Sequence, residues 1–151
     1  MKQIISNSEF ETIKIAKKIA SNLSKKDIVV LTGELGAGKT KFVEGFLSYF
    51  NLQNEISSPT FNIVNEHISP FCNIYHFDVY RLENFDEFYA IGGEEYFEKG
   101  ICLIEWGEII QDVLPKEYLH ITFKKDFNDE NKRILEFEAI GEKYKKIIEF
   151  L

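Results

Sequence analysis

Asp27-Ile28-Val29-Val30-Leu31-Thr32-Gly33-Glu34-Leu35-Gly36-Ala37-Gly38-Lys39-Thr40 is the stretch on which the fold turns. Its first part, Asp27 to Thr32, is an apolar, β-branched run of the kind that forms a strand buried on both faces. Its second part, Gly33 to Thr40, fits the spacing of a phosphate-binding loop. Glycines let the backbone curl with its N–H groups turned inward, and a helix begins at the far end. The N–H groups and the positive helix end make a cradle for a β-phosphate. On this reading Gly33, Glu34, Leu35, Gly36, Ala37 and Gly38 form the cradle, Lys39 reaches the β/γ oxygens and the Thr40 hydroxyl holds a Mg²⁺ ion. The residues after it keep helical spacing, with Phe42, Val43, Phe46, Leu47 and Phe50 on one face. A glycine-rich turn that matches by chance is the competing explanation; strand before and helix after disfavour it. The expected ligand is a nucleoside triphosphate.

Upstream, Ser8 with Glu11 three residues on resembles a capping box and opens a helix through about Leu23. Its expected inner face is Phe10, Ile13, Ala16, Ala20 and Leu23. Downstream, the polar stretch from Asn51 to Pro59 reads as a loop. Phe61 to Glu66 and Asn73 to Tyr80 read as strands separated at Ser69-Pro70. Asn84 caps a short helix that stops at Gly92-Gly93. Ile101-Cys102-Leu103-Ile104 is a continuous apolar run, again a doubly buried strand. Two alternating segments around Leu119–Phe123 and Leu135–Ala139, joined by Asn128-Asp129-Glu130, make an antiparallel hairpin, and a last helix carries Tyr144, Ile147, Ile148 and Leu151 on one face. The expected fold is α/β: a nucleotide-binding three-layer sandwich around a mixed sheet, parallel at its centre with an antiparallel edge hairpin. With 151 residues, 1–151 are expected to form one domain.

A phosphate loop needs a metal partner from a neighbouring strand, at the C-terminal end where the crevice opens. Two acids qualify. Glu105 closes the apolar run at Ile101, and four apolar residues before an acid favour the metal side of the site. Asp78 closes Asn73-Ile74-Tyr75-His76-Phe77 and is placed to orient or deprotonate an attacking water. Thr60, in Ser57-Ser58-Pro59-Thr60-Phe61, sits where switch loops sense a γ-phosphate, although turn chemistry explains the same residues. Trp106, the single tryptophan, follows Glu105 and is expected at the crevice rim, stacking on a base or anchoring a partner. His76 reads as a packed, hydrogen-bonded histidine rather than a general base.

The net charge of −7, from 25 acidic against 18 basic side chains, argues against stand-alone nucleic-acid binding. Lys17, Lys18, Lys25 and Lys26 cluster locally but read more simply as a solvated face. Cys72 and Cys102 lack metal-site spacing and read as two buried free thiols, which suits a reducing compartment. No segment approaches the roughly 18 apolar residues of a membrane span, and the N-terminus has no signal-peptide pattern. A cytoplasmic location is the expectation.

Four blocks in this order, Gly33-Glu34-Leu35-Gly36-Ala37-Gly38-Lys39-Thr40, Ser58-Pro59-Thr60-Phe61, Tyr75-His76-Phe77-Asp78-Val79-Tyr80-Arg81-Leu82 and Ile104-Glu105-Trp106, resemble the TsaE (YjeE) family of bacterial ATPases. The second half of this pattern is far more specific than the phosphate loop. The resemblance implies ATP and ADP as ligands with Mg²⁺, and an accessory role in making N6-threonylcarbamoyladenosine in tRNAs that read codons starting with A. It implies TsaD and TsaB as partners, with tRNA met through them and no membrane. It carries over Lys39 and Thr40 to phosphate and Mg²⁺, Glu105 to the metal site and Asp78 to a catalytic acid. Thr60 becomes a switch residue and Trp106 a functional rim residue; Arg81 lies in the block without a settled role. Glu34 stands where aspartate is the commoner residue. A small phosphate-loop kinase is the second reading. Such enzymes usually use arginines on a lid, and here only Arg81 and Arg133 exist. A nucleotide sensor without turnover is the third, and the acids at Asp78 and Glu105 weigh against it.

Overall fold

The computed structural model describes residues 1–55 and 63–151; Thr60 and its Ser58-Pro59-Thr60-Phe61 block lie outside the described residues. Seven strands form one sheet: β1 (Lys2–Ser6), β2 (Ile28–Gly33), β3 (Val64–His67), β4 (Ile74–Asp78), β5 (Ile101–Glu105), β6 (Tyr118–Lys125) and β7 (Arg133–Ile140). Their order across the sheet is β1-β7-β6-β2-β5-β4-β3. The four central strands β6, β2, β5 and β4 run parallel. The antiparallel pairs β6–β7 and β1–β7 close one side, and β3–β4 closes the other. The parallel centre and antiparallel hairpin therefore match the expectation, and the far edge adds a third antiparallel pair.

The period of two in the central strands divides the core. Val29 and Leu31 of β2 join Ile101 and Leu103 of β5 in a cluster with Ala16, Phe42 and Phe46, under α1 (Glu9–Ala20) and α2 (Lys39–Tyr49). Ile28, Val30, Cys102 and Ile104 face the other way and pack with Phe77, Phe88 and Ile110, under α3 (Phe85–Ala90) and the 3-10 turns Gly93–Glu98 and Gly107–Val113. The sheet is thus covered on both faces, which explains the uninterrupted apolar runs in β2 and β5. Helices α1 and α2 cross closely at Gly45, where an added Cβ would lie 2.6 Å from the Ile13 carbonyl oxygen.

Several local expectations are corrected. Phe10 does not join the inner face of α1 but is 68% exposed, and the buried positions are Thr12, Ala16, Ile19 and Ala20. Phe10 lies in the first turn of α1 and lines a cleft, so its helical spacing does not put it in the core. The capping box is real but shifted: Ser8 Oγ accepts from Glu11 N at 3.1 Å, while Glu11 Oε2 accepts from Asn7 N rather than from Ser8. The last helix, α4 (Lys145–Glu149), is short, and Tyr144 precedes it as a buried residue. Its hydroxyl accepts from Ile28 N at 2.9 Å and donates to Asp27 Oδ1 at 3.1 Å, tying the C-terminus to the start of β2. Of the two thiols, both free, Cys102 is buried but Cys72 only half-buried. Strand β1 was not expected at all. Among the described residues no helix is long and apolar enough to cross a membrane.

Candidate functional site

The site grows from a change of chemistry along one face of the parallel strands. On that face β4 presents Ile74, His76 and Asp78 in turn, and β5 presents Ile101, Leu103 and Glu105. The register sets Ile74 beside Ile101, His76 beside Leu103 and Asp78 beside Glu105. The two strands start apolar inside the core and end acidic at the C-terminal edge, where β2 also ends and the chain turns into α2. All these groups therefore converge on one edge of the sheet without any long connection being needed.

Between β2 and α2 the glycine loop supplies the curl that the spacing implied. Gly36 and Gly38 have φ of 80° and 106°, left-handed values that a side chain would oppose. Lys39 opens α2 and is almost fully buried, an expensive position for an ammonium group unless it is compensated. Three groups compensate it. Its Nζ donates to the Gly33 carbonyl at 2.6 Å. It lies 3.8 Å from Glu105 Oε1. It also sits over the Trp106 ring, 4.7 Å from the centroid.

Glu105 is held from behind. His76 Nε2 meets Glu105 Oε2 at 2.6 Å, and His76 is only 4% exposed. Its buried Nδ1 has no hydrogen-bond partner among the described residues. The tautomer with its proton on Nε2, donating to Glu105, satisfies this environment best, since Nδ1 would otherwise carry an unmet donor. Burial pushes the Glu105 carboxyl up, but the hydrogen bond from His76 and the nearby Lys39 ammonium outweigh it and hold the group below its ordinary value. The sequence reading had His76 as a packed histidine; it is packed, and it is also the group that positions Glu105. The signal was its place two residues before Asp78 on the same strand face.

Asp78 is half-buried at the end of β4, its Oδ1 accepting from Tyr80 N at 3.1 Å. Trp106 is half-buried beside it, with its ring 5.0 Å from that of the exposed Tyr80. Trp106 has φ of 63°, a left-handed conformation that costs a side-chain-bearing residue roughly 1–2 kcal/mol. That turn swings the indole out of the strand direction and over Lys39.

A cleft of about 800 Å³ opens along this edge, and Lys39, Thr40, Asp78, Glu105 and Trp106 all line it. Leu35, Gly36 and Gly38 line it too; Gly33, Glu34 and Ala37 belong to the loop behind, with Ala37 fully buried. The structure therefore brings the candidate side chains Lys39, Thr40, Asp78, Glu105 and Trp106 to one cleft, with Gly33, Glu34 and Ala37 in the loop behind it. Two contributions were not foreseen: the start of α1, through Ser8 and Phe10, and the β6–β7 hairpin, through Asn131 and Arg133. Among the described residues no three His, Cys, Asp or Glu side chains cluster to hold a metal unaided. The donors present are a hydroxyl and two carboxylates, hard oxygen groups suited to Mg²⁺ when it keeps waters and takes its other ligands from a phosphate substrate.

The family model described as threonylcarbamoyl adenosine biosynthesis protein TsaE matches residues 6–134. The chain is 41% identical over 142 residues to the tRNA threonylcarbamoyladenosine biosynthesis protein TsaE of Bacillus subtilis, covering 93% of this chain and 87% of that protein. It is 43% identical over 129 residues to the protein of the same name from Rickettsia typhi, covering 85% and 88%. The crystal structure of Bacillus subtilis YdiB superposes with a TM-score of 0.78 at 34% identity, covering 99% of this chain and 93% of that one. A glycine loop facing a Glu-Trp pair across one cleft, in a chain that matches these relatives over nearly its whole length, leads to one assignment: the chain belongs to the TsaE family.

Proposed function

We propose that this protein is an ATPase that binds ATP with Mg²⁺ and hydrolyses it in support of tRNA threonylcarbamoyladenosine biosynthesis, working with TsaD and TsaB proteins in the cytoplasm. The observation that carries the reading is the Gly33–Lys39–Glu105–His76 chain of contacts at the mouth of a glycine loop. A buried lysine paired with a half-buried carboxylate is costly to keep, and here both face a cleft large enough for a nucleotide.

The proposed roles draw on this geometry. Loop N–H groups receive the β-phosphate, and the Lys39 ammonium turns from Gly33 and Glu105 to the β- and γ-phosphate oxygens. Thr40 and Glu105 are the groups to hold Mg²⁺, which when bound neutralises charge on those oxygens. Glu105, released by Lys39, stays in place because His76 holds its other oxygen. Asp78 keeps one oxygen on Tyr80 N and has the second with which to orient a water. That water attacks the γ-phosphorus, the bond to the β–γ bridging oxygen breaks, and ADP and inorganic phosphate leave. Hydrolysis by the protein alone is expected to be slow and to rise with TsaD and TsaB.

The test is phosphate release by wild type, Lys39→Ala and Glu105→Gln, each with and without TsaD, TsaB and tRNA, alongside titration with ADP. Wild type should bind and turn over, Lys39→Ala should lose affinity, and Glu105→Gln should bind without turnover. Binding with no phosphate release under any condition would reduce the protein to a nucleotide sensor, and a phosphorylated acceptor would make it a kinase.

A further inference from the structure

The second arginine of the chain lies at the glycine loop. Strand β6 ends beside β2, with Phe123 in register with Gly33, and the hairpin returns so that Arg133, first residue of β7, pairs with Lys125. This carries the Arg133 side chain against the loop. A Cβ on Gly38 would lie 3.7 Å from Arg133 Cγ, so the aliphatic stem rests on the backbone that precedes Lys39. Its guanidinium donates from Nη1 to the carbonyls of Glu130 at 2.6 Å and Lys132 at 2.9 Å, and from Nη2 to the carbonyl of Gly36 at 3.4 Å.

Each of those acceptors is a neutral carbonyl. Among the described residues no carboxylate lies within ion-pairing distance of Arg133, although the chain has 25 acids against 18 bases. Its Nε is buried and without a hydrogen-bond partner. Arginine is suited to phosphate oxygens, which it meets through a planar fork of donors. A guanidinium that is fixed by its stem, unneutralised and placed at the mouth of the cleft is built to receive an anion. The longest of its contacts, to Gly36, is the easiest to exchange.

We infer that Arg133 is a phosphate ligand supplied in cis by the β6–β7 hairpin, binding the diphosphate portion that ADP and ATP share. The diphosphate is the group indicated because Arg133 touches Gly36 and Gly38, in the part of the loop whose N–H groups surround a β-phosphate. Lys125, whose Nζ would lie 3.3 Å from a Cβ on Gly36, adds a second positive charge on the same side. This inference rests on the nucleotide-binding reading above and adds a ligand that the sequence pattern did not contain.

Calorimetric titration of the full chain with ADP·Mg²⁺, a non-hydrolysable ATP analogue with Mg²⁺, and adenosine tests it, using wild type, Arg133→Met and Arg133→Lys. Met keeps the stem on Gly38 and removes the charge; Lys keeps a charge without the fork. Arg133→Met should weaken ADP and the ATP analogue alike, by about ten- to a hundredfold, with Arg133→Lys between it and wild type and adenosine unaffected. Thermal melts establish that the variants are folded; if Met unfolds the chain, the Lys variant alone must still show a parallel loss for both nucleotides. Wild-type affinity for both nucleotides in a folded variant would overturn the inference, and so would a loss confined to the ATP analogue. Absence of nucleotide binding by wild type would instead overturn the parent reading.

Discussion

Replacing His76 with leucine separates a packing role from a positioning one. The bond from His76 Nε2 to Glu105 Oε2 is 2.6 Å long and nearly inaccessible to water. Hydrogen bonds to charged groups contribute about 1.5–3 kcal/mol. At roughly 2–4 °C per kcal/mol for a chain of this size, His76→Leu should lower the melting temperature by about 3–12 °C. Glu105 would keep only the Lys39 ammonium, 3.8 Å away, and would follow it when it moves to phosphate. Turnover should therefore fall by about 10–100-fold, the usual range for a residue that orients a ligand from behind. Nucleotide affinity should change little, because His76 does not line the cleft. His76→Gln, which restores an N–H donor on a chain of similar reach, should regain part of the turnover. The assays are steady-state phosphate release, ADP titration and a thermal melt. A folded His76→Leu protein with wild-type turnover would refute the positioning role, and so would a Gln variant no better than the Leu variant.

Four further outcomes are expected. Asp78→Asn should bind ADP as wild type does and release phosphate more slowly by at least an order of magnitude, checked by titration and steady-state kinetics. Nucleotide should change the emission of Trp106, the single tryptophan, because it draws Lys39 off the indole face; Lys39→Ala should start from a shifted emission and respond less. Gly45→Ala should lower stability in a denaturant melt by about 1–3 kcal/mol, because a Cβ would meet the Ile13 backbone at 2.6 Å, while nucleotide affinity stays unchanged. Burial pushes the Cys102 thiol up from 9.0 to about 12. Its contribution to stability is therefore whole below pH 9 and lost as pH rises toward 12, since the unfolded thiol ionises first. Thiol labelling at pH 8 should modify half-buried Cys72 well before Cys102, which should react only on unfolding.

What could be read from the sequence follows from how local its physics is. The glycine loop, α2 and the apolar runs of β2 and β5 are each specified within about ten residues, and all were legible. Strand β1 was not. Lys2-Gln3-Ile4-Ile5-Ser6 is a short edge segment with Ile5 half exposed, and only its pairing with Arg133–Phe137 makes it a strand. Phe10 misled for a related reason: its helical spacing is correct, but it lies in the first turn of α1 at the cleft rather than in the core. The acids Asp78 and Glu105 were legible as strand endings. Their meeting with His76 and Lys39 needed the register of β4 against β5, which no local pattern states. Arg133 was the furthest from reach, because the hairpin brings it to a loop nearly a hundred positions earlier in the chain.

One consequence of the geometry joins the nucleotide to whatever meets the rim. With the cleft in its present arrangement, the Lys39 charge is shared among Gly33, Glu105 and Trp106. On the proposed function, a phosphate that takes Lys39 draws its charge away from these contacts, and the proposed roles of Glu105 and Trp106 begin at that moment. The left-handed backbone of Trp106 is a modest strain held by packing, and losing the lysine removes one of the contacts that hold it. The exposed Tyr80 ring lies against the same indole. On the proposed function, a protein surface packed on Tyr80 and Trp106 would change the cost of moving Lys39, and with it the affinity for nucleotide. Linkage requires the converse: nucleotide must change the affinity of that surface by the same factor. If a partner covered this rim, occupancy of the cleft and docking of that partner would be one coupled equilibrium, transmitted through a lysine and an indole 4.7 Å apart.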